Sequence, residues 1–226
     1  MCTAYSRSAM ASLTLFLSGA AMATVISVPI PNIPPLLIEP LPIKVGLCVT
    51  PALQGAHLRE SRHTARLETG DGAASPGPDW QLGDATVATL TTVARATFAE
   101  VVVLDGCMRN PAPPGNVMAV LAAELTSADV PLSLTASGGG SFFTHARVVL
   151  HMTLRSTQSP AAVSWDISGI GPIRIGILGK LREEDTARAL SEALRDACAR
   201  FIADLYVNAE VQPWLTDLTA ANRVPR

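Results

Sequence analysis

Apolar positions recur along this chain with two different periods, and the change from one to the other divides it. In "THARVVLHMTLR" (144–155) they alternate, so that Ala146, Val148, Leu150, Met152 and Leu154 share one side. In "AVSWDISGIG" (162–171) Val163, Trp165 and Ile167 do the same. A period of two marks a strand with one covered and one wet face, and the turn residues "STQSP" between the runs join them as a β-hairpin. "IRIGIL" (173–178) adds a further strand or an edge. From Glu184 to Tyr206 the period lengthens: Ala187, Leu190, Leu194, Ala197, Cys198, Phe201 and Leu205 step by three and four along one helical stripe. Glu183, Glu184 and Asp185 stand at its start, where the helix dipole favours acids. Glu184 to Arg188 and Asp196 to Arg200 are i,i+4 pairs for its outer side.

The first half is less regular. "KVGLCV" (44–49) reads as the first strand of a folded body, and "EVVVLDG" (100–106) as a buried strand. Between them, residues 83–98 place Val87, Leu90, Val93 or Ala94, and Phe98 at helical spacing behind Asp84 as an N-cap. The threonines of this helix lower its intrinsic propensity, so packing must hold it. "NVMAVLAAEL" (116–125) favours strand. Residues 55–79 read as loop with one short strand at 63–68, and the chain after Trp214 as a weakly ordered tail.

Ahead of the body, residues 28–43 hold six prolines in sixteen positions. Proline lacks the amide donor and fixes φ, so this stretch is extended and acts as a tether, a free arm once the segment before it is removed. That segment reads as an export signal: Arg7 is followed by the apolar "MASLTLFLSGAAM" and the small-residue site Ala21-Met22-Ala23, with cleavage after Ala23. An uncleaved membrane anchor is the competing reading. Leu17-Ser18-Gly19 resembles the end of a lipoprotein signal, but Ala20 stands where the lipid-accepting cysteine belongs. The resulting division is 1–23 signal, 24–43 tether, 44–207 a single α/β domain and 208–226 tail.

Composition narrows the function classes. Net charge is -2 with no basic surplus, which argues against a nucleic-acid partner. Aromatic residues are only 4%, too few for stacking platforms. The chain has no GxSxG elbow, no dinucleotide or phosphate glycine loop, and no paired carboxylates at glycosidase spacing. Cys48, Cys107 and Cys198 remain after the signal and contain no CxxC, so neither zinc nor thioredoxin chemistry is indicated. An oxidising compartment permits one bridge: Cys48 and Cys107 each end a strand and can pair, while Cys198 lies on the apolar stripe. Three small buried thiols are the other reading.

Two clusters carry positive charge. His145, Arg147, His151 and Arg155 share the wet face of the hairpin, a stripe able to meet an anionic glycan, lipid headgroup or acidic partner, or simply a solvated face. His57, Arg59, Arg62, His63 and Arg66 form a second cluster in a loop without carboxylates or thiols at metal spacing. No catalytic, cofactor-binding or metal-ligating residue emerges.

The order of elements, a first strand "KVGLCV" after a proline-rich tether, a helix, "FAEVVVLDG", the hairpin "ARVVLHMTLRSTQSPAAVSWDISGIG" and the helix "ARALSEALRDACARFIADL", resembles the CsgG-like superfamily of bacterial envelope lipoproteins. That group includes curli-secretion, exopolysaccharide-export and penicillin-binding-protein activator lipoproteins. Thr153-Leu154-Arg155, Trp165 and Gly169 occupy places comparable to the family's hairpin. The lipid-accepting cysteine is absent, and Ser-Gln-type residues replace the usual hairpin turn. The resemblance implies an α/β (α+β) fold, a mixed sheet with two main helices on one face, one of them the C-terminal amphipathic helix. It also implies a non-enzymatic protein without cofactor. Such a protein would be periplasmic, work through envelope protein partners and homo-oligomers, and reach the outer membrane indirectly or through an uncleaved signal. A soluble periplasmic module for a glycan or other anionic ligand is the alternative expectation.

Overall fold

The computed structural model describes residues 24–61, 64–68, 78–105, 107, 116–131, 135–136, 142–175 and 182–223. In chain order the elements are β1 (Val25–Ser27), β2 (Leu41–Val49), α1 (Pro51–Gln54), β3 (His57–Ser61), β4 (Thr64–Glu68), β5 (Asp79–Gln81), α2 (Gly83–Thr97) and β6 (Phe98–Asp105). There follow β7 (Ala119–Pro131), β8 (Thr135–Ala136), β9 (Phe142–Ser156), β10 (Ala162–Ile175), α3 (Glu183–Val207) and α4 (Val211–Arg223). The ten strands join in one mixed sheet, and the fold is α+β.

β7 organises the sheet. Along one side it pairs antiparallel with β9, with one irregularity between Leu125 and Ser127. Along the other, its first half pairs parallel with β2 and its end antiparallel with β4. β2 continues to β6, and β4 continues through β3 and β5 to β1. β9 and β10 form one unbroken antiparallel hairpin from Arg155 opposite Ala162 to Phe142 opposite Ile175. The run at 173–178 is therefore the end of β10 as far as Ile175, and its remainder lies outside the described residues.

Helices α2 and α3 cover one face of the sheet. Alternation places Val45 and Leu47 of β2, Ala146 to Leu154 of β9, and Val163, Trp165 and Ile167 of β10 beneath them, all buried. Every stripe residue expected on the last helix is buried as well, from Ala187 to Leu205. Phe201 of α3 stacks on Trp165 with ring centroids 6.1 Å apart. On α2 the threonine hydroxyls of Thr86, Thr89, Thr91, Thr92 and Thr97 each donate to the carbonyl four residues back. This bonding lets a threonine-rich helix bury Thr86, Thr89 and Thr97 without orphaned hydroxyls.

Several local expectations are corrected. Asp84 lies in the first turn of α2 and Leu82 holds the cap position, without a side-chain cap bond. Phe98 opens β6 rather than closing the helix, so helix passes to strand with no loop. Arg188 pairs with Asp185, 2.7 Å away, instead of Glu184, whereas Arg200 does pair with Asp196 at 3.3 Å. The chain from Val211 to Arg223 is helical: Asn208 Oδ1 accepts the amides of Glu210 and Val211, and Val211, Leu215 and Leu218 are buried on the core.

The proline-rich stretch is held to the body, not free. β1 pairs parallel with β5, Val28 is buried, Ile33 packs on the core, and the Tyr206 hydroxyl lies 3.5 Å from the Glu39 carbonyl. Trp80, the register partner of Ile26, donates its Nε1–H to the carbonyl of Glu183 at the start of α3. Residues 28–40 thus run as a strap from one end of α3 to the other. Their extended reach of about 40 Å, at ~3.1 Å per residue, matches a helix of about 38 Å at ~1.5 Å per residue. The signal segment and its cleavage site at Ala23 lie outside the described residues.

Candidate functional site

The hairpin stripe is built as alternation requires: His145, Arg147, His151 and Arg155 all lie on the face of β9 away from the helices, exposed or half-buried. Their neighbours change its electrostatic character. His151 Nδ1 lies 2.6 Å from Asp166 Oδ1 on β10, and Glu124 of β7 is its register partner on the other side. Asp129 stands opposite Arg147. Three carboxylates are therefore interleaved with two arginines and two histidines. Thr153 and Ser164 complete the face with a hydroxyl pair at 2.8 Å. The result is a ladder of alternating charge rather than a concentrated cationic patch. Arg147 and Arg155 have no ion-pair partner among the described residues.

The second basic cluster is divided. His57 and Arg59 lie on β3, and Arg59 Nε is 3.4 Å from Asp79 Oδ2, a pair mostly withdrawn from solvent. Arg66 is on β4, in register with Arg59, while Arg62 and His63 lie outside the described residues. Among the described residues no three His, Cys, Asp or Glu side chains converge as a metal site would need, and no helix is long and apolar enough to cross a membrane.

Cys48 and Cys107 are disulfide-bonded, with Cα atoms 5.2 Å apart. The bond closes a small apolar cluster on the face opposite the helices, made by Cys48, Val117 and Val120 with Val102 and Leu104 packed on it. Cys198 is the free cysteine, buried, its thiol pushed up to about 12 by desolvation. A thiol that seldom ionises is a poor nucleophile, so Cys198 belongs to the core.

Among the described residues four strands have a single partner, the two-residue β8 and the strands β1, β6 and β10, and the last three differ in protection. Among the described residues β10 pairs with β9 alone. Its free side is covered where the Ile170 amide donates to Asp196 Oδ2 of α3 at 3.0 Å, and Pro172 has no amide to offer. β1 is three residues long. β6 is eight residues long, pairs with β2 alone among the described residues, and carries no proline, lysine or arginine but two acids, Glu100 and Asp105. Val103 at its centre is 42% exposed, so the run expected to be a buried strand is an edge. Charged side chains guard a sheet edge, and on β6 they stand toward its two ends, with the apolar run Val101–Leu104 between them. Sequence alone could not find β6, because a continuous apolar run looks the same at the centre and at the rim of a parallel sheet.

A groove of about 440 Å³ lies between the strap, α3 and β10. Its lining combines Ile33, Pro34 and Leu36 of the strap, Ile170 and Pro172 of β10, and Ala199 and Ile202 of α3 with the charged Glu192, Arg195 and Asp196.

No family model and no curated protein matches the chain. Among solved structures it is similar to an uncharacterised protein, at 11% identity and a TM-score of 0.38, over 81% of this chain and 98% of that one. A second is a PelC dodecamer from Paraburkholderia phytofirmans, at 14% identity and a TM-score of 0.30, over 74% of this chain and 94% of that one. At these TM-scores neither likeness bears on the fold or the function.

Proposed function

We propose that this protein is an exported component of the bacterial cell envelope that works by assembly, as a docking accessory for envelope export or biogenesis, and that it is not an enzyme. The observation that supports this reading most directly is β6, which among the described residues pairs with β2 alone and holds Val103 42% exposed at its centre. A strand edge with unpaired backbone groups and an apolar centre adds another strand, and strand addition is a common basis of protein recognition. The export signal ending at Ala23 puts the mature chain in the periplasm, where the Cys48–Cys107 bond is stable. With alanine at position 20 the chain cannot take the lipid of a lipoprotein at that site, so contact with the outer membrane comes through partners.

The test is made in the native host. Intact-mass measurement should give a chain beginning at Thr24 with one disulfide, and crosslinking in isolated envelopes should capture either a second copy or another envelope protein. A cytoplasmic chain with its first residues intact, or a monomer that captures nothing, overturns the reading.

A second reading, a periplasmic ligand-binding module, is favoured by the groove under the strap. Its volume and apolar lining are those of small-molecule sites. Alanine at Arg195 should then weaken a ligand found by native mass spectrometry without altering the melting temperature.

A further inference from the structure

We propose that the groove between the strap, α3 and β10 binds a single-chain lipid with a zwitterionic head, its acyl chain beneath the strap and its phosphoethanolamine group between Glu192 and Arg195. The proposal rests on the ligand-binding reading above and names the class of ligand.

The groove is polar at one end and apolar at the other. Along α3 its charged side chains come first, Glu192, Arg195 and Asp196, and Cys198, Ala199 and Ile202 follow. From Glu192 to Ile202 the helix rises about 15 Å, at ~1.5 Å per residue. The strap adds Ile33, Pro34 and Leu36 to the apolar lining. A cleft of about 440 Å³ divided in this way suits an elongated amphiphile better than a compact polar solute.

The apolar surface does not stop at the groove. Arg195, Ala199, Ile202 and Tyr206 recur at intervals of four, three and four, so they share one side of α3. The Tyr206 hydroxyl lies 3.5 Å from the Glu39 carbonyl, which brings Leu37 and Ile38 of the strap to the same end of the helix as Tyr206 and Val207. All four are exposed, and Leu37 completely so. With Ile170, which lines the groove, they are five of the eight large apolar side chains exposed among the described residues. Apolar surface gathered beside a cleft marks a place where an apolar ligand is covered.

The polar end carries two charges left unmatched. Asp185 and Arg188, three apart on the same helix, pair at 2.7 Å. Glu192 and Arg195 have the same spacing, yet neither has an ion-pair partner among the described residues, and Glu192 is half-buried. Asp196 is already committed: it accepts the Ile170 amide at 3.0 Å and pairs with Arg200 at 3.3 Å. One free carboxylate and one free guanidinium therefore stand at the head of an apolar cleft. An ammonium answers the first and a phosphate the second, and a phosphoethanolamine head carries both. A fatty acid would leave Glu192 unmatched, and a simple cationic amphiphile would leave Arg195 so.

Isothermal titration of the purified protein with two lysolipids of equal chain length tests this. One has a phosphoethanolamine head and the other a phosphoglycerol head, which lacks the amine. The wild type should bind both, the first more tightly. Ala199→Phe fills the cleft from an exposed position, so it should weaken both by about tenfold or more while a circular dichroism melt shows an intact fold. Arg195→Gln should weaken both by about threefold or more. Glu192→Gln should weaken the phosphoethanolamine lipid alone and so remove its advantage. A wild-type protein that takes up neither lipid at about 100 µM overturns the proposal. So does binding that survives Ala199→Phe, or a Glu192→Gln variant that affects the two lipids alike. If native mass spectrometry finds a different ligand that Ala199→Phe displaces, the lipid assignment fails and the ligand-binding reading stands; if nothing binds, both fail.

Discussion

Gly171 of β10 lies so close beneath Ala189 of α3 that a Cβ added to it would stand 1.8 Å from the Ala189 carbonyl oxygen. Gly169, one step along the same face, meets Ala193 and Ala197 in the same way, at 1.9 Å from the Ala193 carbonyl oxygen. The three alanines fall at intervals of four on the helix, so two glycines and three alanines together let backbone approach backbone. Either Gly→Ala substitution has to push α3 off the sheet, because the obstruction is main chain and cannot rotate away. Each should cost about 3 kcal/mol or more in urea unfolding. Gly55→Ala, whose nearest obstruction is the Pro51 carbonyl oxygen at 3.3 Å, should cost clearly less.

The Trp165–Phe201 stack, with an interplanar angle of 7°, fixes the other end of the same contact. Phe201→Ala should cost about 3–5 kcal/mol and shift tryptophan emission, since it opens a cavity against a buried indole. Phe201→Leu should recover much of that loss.

The Cys198 thiol gives a pH dependence of known sign. Burial raises it from 9.0 to about 12, so between those values the folded protein keeps a proton that the unfolded chain has lost. Stability must then fall as pH rises from about 9 toward 12, and be unaffected by this group below that window. Chemical denaturation at a series of alkaline pH values should show the decline, and Cys198→Ala should flatten it. At pH 8 a maleimide should label Cys198 only after denaturant is added; labelling of the native protein would contradict its placement in the core.

The disulfide closes a long loop, with 59 residues of sequence separation, which in the chain-entropy account is worth about 4 kcal/mol. Reduction should lower the urea midpoint accordingly. It should also speed amide hydrogen exchange in β6 more than in α3, since the bond holds the end of β6 against β2 and touches nothing of the helix.

How much of this was legible depended on periodicity. The inward residues of β9 and β10 and the stripe of α3 declared themselves because a period of two or of 3.6 survives any tertiary arrangement. Residues whose role depends on a distant neighbour did not. The stripe from His145 to Arg155 reads as basic until β7 brings Glu124 and Asp129 alongside it, and nothing local indicates that pairing. Val101 to Leu104 reads as buried strand because composition cannot say which flank lacks a partner. The proline-rich strap has no period at all, so its attachment through Val28, Ile33 and Glu39 appears only when α3 is in place. α4 was within reach, since Val211, Leu215 and Leu218 step by four and three, but Pro213 and the polar residues between them obscured the pattern.

The strap also orders events in time. Its two ends are completed by residues made much later: Trp80 beside β1 reaches Glu183 across 103 positions, and Glu39 meets Tyr206 across 167. A chain emerging amino end first cannot seat its opening segment until nearly the whole sequence has been synthesised. Contacts so remote in sequence form late. Residues 28–40 therefore stay unfastened until α3 has been made, and that last long helix closes the clasp.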